Sequence, residues 1–150
     1  MSREEINGSK IYQIRRLPKF ESSYQTLIKK HYRKNTQAKQ ELEELIDNYL
    51  LQLEVNPCSS TVSDDEGFPK GTAESDFEFR KKRWRRLPGL QGAARYGRLL
   101  FVVCHPKKIV YLVWIYTHAE FELRPPDKEL KEQINFAKQE SLTEVVYEAD

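Results

Sequence analysis

The chain is poor in the residues that most often carry metal or nucleophile chemistry. It has two cysteines, Cys58 and Cys104, which share no metal-binding spacing and form no CxxC pair; so low a count suits a reducing compartment rather than a disulfide scaffold. Its three histidines, His31, His105 and His118, are widely spaced, with no HxxxH and no acidic partner pattern, which argues against metal catalysis. Six glycines in 150 residues make no phosphate-cradling loop, and there is no nucleophile elbow. Long apolar runs are also missing. The longest, Ile109–Ile115 with its flanking Tyr116, falls far short of the ~20 residues of a spanning helix. The opening MSREEINGSK is charged and has no apolar core of a signal peptide. These absences predict a soluble, cytoplasmic protein without membrane contact, and the length suits one domain, 1–150, with a real core.

One further absence is local. From Arg80 to Arg98 there is no acid, while eight of the 25 Lys and Arg fall there: Arg80, Lys81, Lys82, Arg83, Arg85, Arg86, Arg95 and Arg98. That leaves 17 basic residues against 23 acidic elsewhere, so a segment of +8 sits on a remainder of −6. Such a distribution makes a localised field and suggests an anionic ligand, phosphate above all. The most strand-like sequence follows directly. Leu99–Cys104 and Ile109–Tyr116 are rich in Val, Ile, Leu and aromatics, and His105-Pro106-Lys107-Lys108 between them reads as a hairpin turn.

In chain order, Lys10–Leu17 is a short strand stopped by Pro18. Phe20, Tyr24, Leu27, Ile28 and Tyr32 then recur at helical steps, as do Ala38, Leu42, Leu45, Ile46, Tyr49, Leu50 and Leu53, with Asn35-Thr36 as a break and cap between them. The two form a helical hairpin. Residues 57–75, rich in Ser, Pro, Gly and acid, read as a mobile loop, and the triplet Asp64-Asp65-Glu66 reads as solvated. In Asp76–Leu87, Phe77, Phe79, Lys81, Arg83 and Arg85 share one strand face; Glu78, Arg80, Lys82, Trp84 and Arg86 share the other. Arg98 lies on the face of Leu100, Val102 and Cys104. Val110, Leu112, Trp114, Tyr116 and His118 are expected on one face of the last strand. Pro125-Pro126-Asp127 starts a helix with Leu130, Ile134 and Ala137 as its apolar positions, and an acidic tail follows from about Gln139. The predicted fold class is α+β: a mainly antiparallel twisted sheet of about four strands, the helical hairpin on one face, the basic cluster on the other, and a C-terminal helix.

Cleaving RNA without a metal needs three things: removal of a proton from a 2′-hydroxyl, fixed cations around the crowded phosphate, and a proton for the leaving 5′-oxygen. Lys81, Arg83 and Arg98 offer the cations, and Arg is suited to the task by its planar, permanently charged fork. His118, at a strand end, offers proton transfer near neutrality. Trp84, Tyr116 or Phe121 can stack on splayed bases. Arg80, Lys82, Arg85 and Arg95 extend the basic surface for RNA. His105 reads as a turn residue only. Nothing in the pattern calls for a cofactor, a metal or a small-molecule ligand.

The segments RKKRWRRLPG, GAARYGRLLFVV and VYLVWIYTHAEFELRPPDKEL, in that order and spacing, resemble the RelE/ParE superfamily, the toxins of bacterial toxin–antitoxin pairs. The resemblance runs from about Lys10 to Ile134. It implies a RelE-like fold and a metal-independent endoribonuclease that cuts ribosome-bound mRNA and is neutralised by a cognate antitoxin protein. Arg98 matches the strand-opening arginine of GRLLF. His118 matches the histidine of a THxxxF-like ending, with Phe121 one residue early. It also implies that a His or Tyr at this strand end, His118 or Tyr116, assists proton transfer, while Lys81 and Arg83 match only the basic character of the strand. Two departures are the chain beyond His118 and the long 57–75 segment. Two other readings stay open: a ParE-like, non-enzymatic inhibitor of DNA gyrase, and a catalytically silent basic module that binds RNA or only an antitoxin.

Overall fold

The computed structural model describes residues 10–144. Five strands and three helices follow in the order β1 (Gln13–Arg16), α1 (Pro18–His31), α2 (Thr36–Val55), β2 (Asp64–Asp65), β3 (Phe77–Trp84), β4 (Gly97–Cys104), β5 (Ile109–Thr117) and α3 (Asp127–Thr143). The sheet order is β1-β5-β4-β3-β2, with β1 parallel to β5 and every other pair antiparallel. The class is α+β, with five strands where the sequence predicts about four.

Local chemistry sets the boundaries. Pro18 has no N–H to donate to a strand, ends β1 and occupies the first turn of α1, where its fixed φ suits a helix. The Asn35 side chain accepts from the Ala38 N–H at 3.0 Å and so caps α2. Ala38, Leu42, Ile46, Tyr49 and Leu53 are the buried stripe of that helix, spaced three or four apart. β5 is buried at all nine positions because β1 and β4 flank it and helices cover both faces. A strand so enclosed reads as a continuous apolar run rather than an alternating one.

Two cores result. α1 and α2 pack on Leu99, Phe101, Val103, Val110, Leu112 and Ile115, together with Trp84. α3 packs through Leu130, Ile134 and Ala137 on the opposite face, against Phe79, Leu100, Val102, Tyr111, Val113 and Trp114. The two faces of β3 thus divide as its alternation predicts, with Phe79 on the α3 side and Trp84 under α2. β5 does not behave so simply. Leu100 pairs with Trp114 but Phe101 pairs with Leu112, leaving Val113 as an extra residue. This bulge reverses the alternation. Val110 and Leu112 therefore point to the helical pair, whereas Trp114 and Tyr116 point to the α3 side, contrary to the single shared face expected for them. Tyr116 is brought opposite Arg98 by the same shift.

Residues 57–75 contain a short strand and several tethers. Tyr49 Oη donates to the Val62 carbonyl at 2.8 Å, and Ser63 Oγ donates to the Pro57 carbonyl at 2.6 Å. The segment expected as an acidic tail from Gln139 is helical through Thr143, Glu144 pairs with Arg15 Nε at 3.1 Å, and residues 145–150 lie outside the described residues. Among the described residues, no helix is long and apolar enough to cross a membrane.

Candidate functional site

β2 reaches along β3 only as far as Lys81. Beyond that point, at the Trp84 end of the sheet, an open cleft of about 440 Å³ is bounded by the 60–64 segment on one side and by Gly97, Arg98 and His118 on the other. Lys81, Lys82, Arg83 and Arg85 line it from β3. Four of the five expected catalytic residues, Lys81, Arg83, Arg98 and His118, therefore meet in one place although 37 residues of chain separate the first from the last. The antiparallel register does this. Arg83 lies opposite Arg98, and Arg98 lies opposite Tyr116, two residues before His118.

Two arginines directly opposite each other repel. Arg83 Nη2 finds Asp64 Oδ2 at 3.1 Å. Arg98 has no ionic partner among the described residues; its Nη1 donates only to the Leu123 carbonyl, at 3.0 Å. The acidic triplet read as solvated instead folds back onto the basic strand. β2 pairing with β3 brings Glu66 Oε1 to 2.9 Å from Lys81 Nζ and Asp65 to 4.0 Å from Arg80 Nη1. Glu66 also takes Arg124 Nη1 at 2.8 Å, which ties the turn before α3 to the same cluster. The Arg83–Asp64 pair is half-exposed and is worth under about 1 kcal/mol, little enough for an incoming phosphate to displace. The Lys81–Glu66–Arg124 network is less exposed and more firmly held.

His118 follows the last residue of β5. Its N–H donates to the Tyr96 carbonyl at 3.1 Å, and its ring stacks on that of Tyr96 at 5.2 Å between centroids and 27° between planes. The Arg95 guanidinium lies over the other partner of the stack, 4.5 Å from the Tyr96 centroid, and donates to its hydroxyl. His118 Nε2 is buried and has no hydrogen-bond partner. Burial first, and then the neighbouring Arg98 charge, hold the imidazole below its ordinary pKa of 6.5, against a smaller opposing pull from Glu122. The ring is thus neutral at neutral pH, able to take a proton and short of a partner. An imidazole with a depressed pKa at the wall of a cationic cleft is a candidate functional group.

Other expected site residues go elsewhere. Arg80 is buried and spends its guanidinium on Ser63 Oγ at 3.0 Å and the Ser63 and Cys58 carbonyls at 2.8 and 3.2 Å. It fastens the 58–63 segment to the sheet. Tyr116 is buried, its hydroxyl donates to the Leu123 carbonyl at 3.0 Å, and burial pushes its pKa up to about 12 despite Arg98 beside it. Phe121 packs edge-on against Trp114 and Tyr116, away from the cleft lining. Trp84 lines the cleft but is mostly buried, edge-to-face with Tyr49 at 5.5 Å, and Lys82 Nζ hovers over both rings. Arg85 is exposed at the rim.

Sequence reasoning misses Tyr96 and the wall from Ser60 to Asp64. Tyr96 stands next to Gly97 in the acid-free stretch, so its neighbourhood was visible; its stacking on His118 depends on the β4–β5 pairing. Gly97 is needed for closeness, since a Cβ there would meet Leu87 side-chain atoms at 2.7–2.8 Å. No protein-family model and no curated protein matches the chain.

Proposed function

We propose that the chain is a metal-independent endoribonuclease of RelE type, a toxin that cuts ribosome-bound mRNA in the cytoplasm and is held in check by an antitoxin protein. The observation that carries this reading is the pairing of Arg98, without an ionic partner among the described residues, with the neutral and unpartnered His118 imidazole in one cationic cleft. The ribosome, the mRNA and the antitoxin come from the resemblance of the RKKRWRRLPG, GRLLF and THAEF segments.

The chemistry follows from the groups present. His118 takes the proton of a 2′-hydroxyl, whose oxygen then bonds to the adjacent phosphorus. Arg98 and Arg83 stabilise the extra negative charge on the phosphoryl oxygens, a role that fixed forks perform without reorganising. The bond from phosphorus to the 5′-oxygen breaks, and that oxygen takes up a proton from Lys81 or water. The products are a 2′,3′-cyclic phosphate and a free 5′-hydroxyl. Tyr96, held between His118 and the Arg95 guanidinium, fixes the imidazole in place at the cleft.

A second reading is favoured by one specific feature. β2 places acids on Lys81, Arg83 and Arg80, which weakens the field that an active cleft would use. That suits a catalytically silent module that binds RNA or an antitoxin. Induced expression followed by mapping of mRNA ends separates the two. New ends within codons, lost in His118→Gln, are expected of the nuclease. Growth arrest with intact mRNA would reject it.

A further inference from the structure

At the other end of β3, five residues from Arg83 and about 17 Å away at ~3.3 Å per residue, three potential metal ligands converge from separate elements. Cys58 comes from the turn after α2, Glu78 from β3, and His105 from the β4–β5 turn. The Cys58 thiol, a Glu78 carboxylate oxygen and a His105 ring nitrogen all lie within 4.8 Å of one another. We propose that Cys58, Glu78 and His105 form a three-ligand site for a zinc-class divalent cation, with its fourth position open to solvent.

The geometry is close to what such an ion needs. Tetrahedral bonds of about 2.0–2.3 Å place donor atoms roughly 3–4 Å apart, so closing around the ion takes only small side-chain adjustments. The His105 Nε2 and Glu78 Oε2 are already 2.6 Å apart, and an ion entering between them replaces a direct contact with two bonds. The other ring nitrogen has its own neighbour: Nδ1 sits 3.4 Å from Tyr12 Oη, which leaves Nε2 for the ion. Glu78 keeps its other oxygen on Arg80, at 3.5 Å. The backbone on either side is pinned as well. Arg80 holds the Cys58 carbonyl at 3.2 Å, and the His105 N–H donates to the Asp76 carbonyl at 3.0 Å.

The donor set also selects the ion. One sulfur, one imidazole nitrogen and one carboxylate oxygen suit borderline-soft zinc, and the thiolate disfavours calcium and magnesium. A thiolate and a carboxylate together balance the two charges of the ion, so a half-buried site is left neutral. Bound there, the ion would clip the turn after α2 to the sheet, just ahead of the 60–64 segment that walls the cleft. The spacing 58, 78, 105 matches no linear metal motif, which is why His105 reads from the sequence as a turn residue only.

The test is optical. Cobalt titrated into the full chain, after chelator treatment, is expected to give a thiolate-to-cobalt band in the near ultraviolet and the intense visible bands of a four-coordinate ion, both erased by one equivalent of zinc. Cys58→Ser and His105→Gln should abolish these bands while circular dichroism shows the fold retained, and Cys104→Ser should keep them. Tyr12→Phe should weaken affinity about 10- to 100-fold. Zinc should raise the melting temperature of the natural chain and leave that of Cys58→Ser unchanged. A natural chain without cobalt bands, or bands that survive Cys58→Ser, would overturn the site.

Discussion

In the proposed reaction His118 and Arg98 have different duties, and single substitutions should separate them. An arginine that holds the phosphate in the ground state and stabilises its added charge in the transition state affects both steps. Arg98→Ala is therefore expected to weaken RNA binding and lower the cleavage rate together, measured by equilibrium binding and by single-turnover kinetics. Unchanged binding with a full loss of rate would mean that Arg98 meets the substrate only in the transition state. His118 adds little charge, because burial and Arg98 keep its ring neutral, so its replacement should spare binding. The same depression has a sign in stability. Below about pH 6.5 the unfolded chain takes up the proton that the folded ring resists, so this site destabilises the fold as pH falls from there.

At the scale of elements, β2 has the largest effect on the cleft for its two residues. It carries acids onto the strand that the cleft relies on for positive charge. Removing the charges of Asp64 and Glu66 as amides should tighten single-stranded RNA binding by roughly two- to fivefold, the range expected for exposed and partly exposed ion pairs. Weaker binding would show that these acids order the cleft rather than oppose its ligand. β2 was also the element least legible in the sequence. A pair of aspartates in a Ser- and Gly-containing stretch has no strand pattern, and only the partner strand makes it one. The helices were legible because each buries one stripe at helical spacing, as Leu42, Ile46, Tyr49 and Leu53 do in α2. β5 was legible as a strand and not in its faces, since the extra residue Val113 leaves no trace in a run where every side chain is apolar. Of the site, Lys81, Arg83, Arg98 and His118 could be picked from charge and position, whereas Tyr96 and the pairing of Cys58 with His105 depend on contacts between distant segments.

Across the whole molecule the two ends of the sheet carry different chemistry: cations, an aromatic stack and a neutral imidazole at one, and a thiol, a carboxylate and an imidazole at the other. The net charge is only +2, so the proposed RNA binding is assigned to the cleft and not to the surface at large. Five cations line it, two of them tied to acids. At about −0.7 per phosphate contacted on a single strand, log K against log salt should have a slope between about −2 and −3.5. A slope near zero would point to an apolar protein surface as the ligand.

The central claim is that His118 moves a proton while the cleft holds the phosphate. Single-turnover cleavage of mRNA on purified, programmed ribosomes, followed across pH, tests it most directly. For the natural chain the rate should rise with pH and level off with a midpoint below 6.5, the direction in which burial and Arg98 shift the ring. For His118→Gln it should lose that limb and fall by roughly 10²–10⁴, with ribosome binding unchanged and the remaining product still ending in a 2′,3′-cyclic phosphate. Cleavage by His118→Gln at the natural rate, with the pH limb intact, would contradict the account.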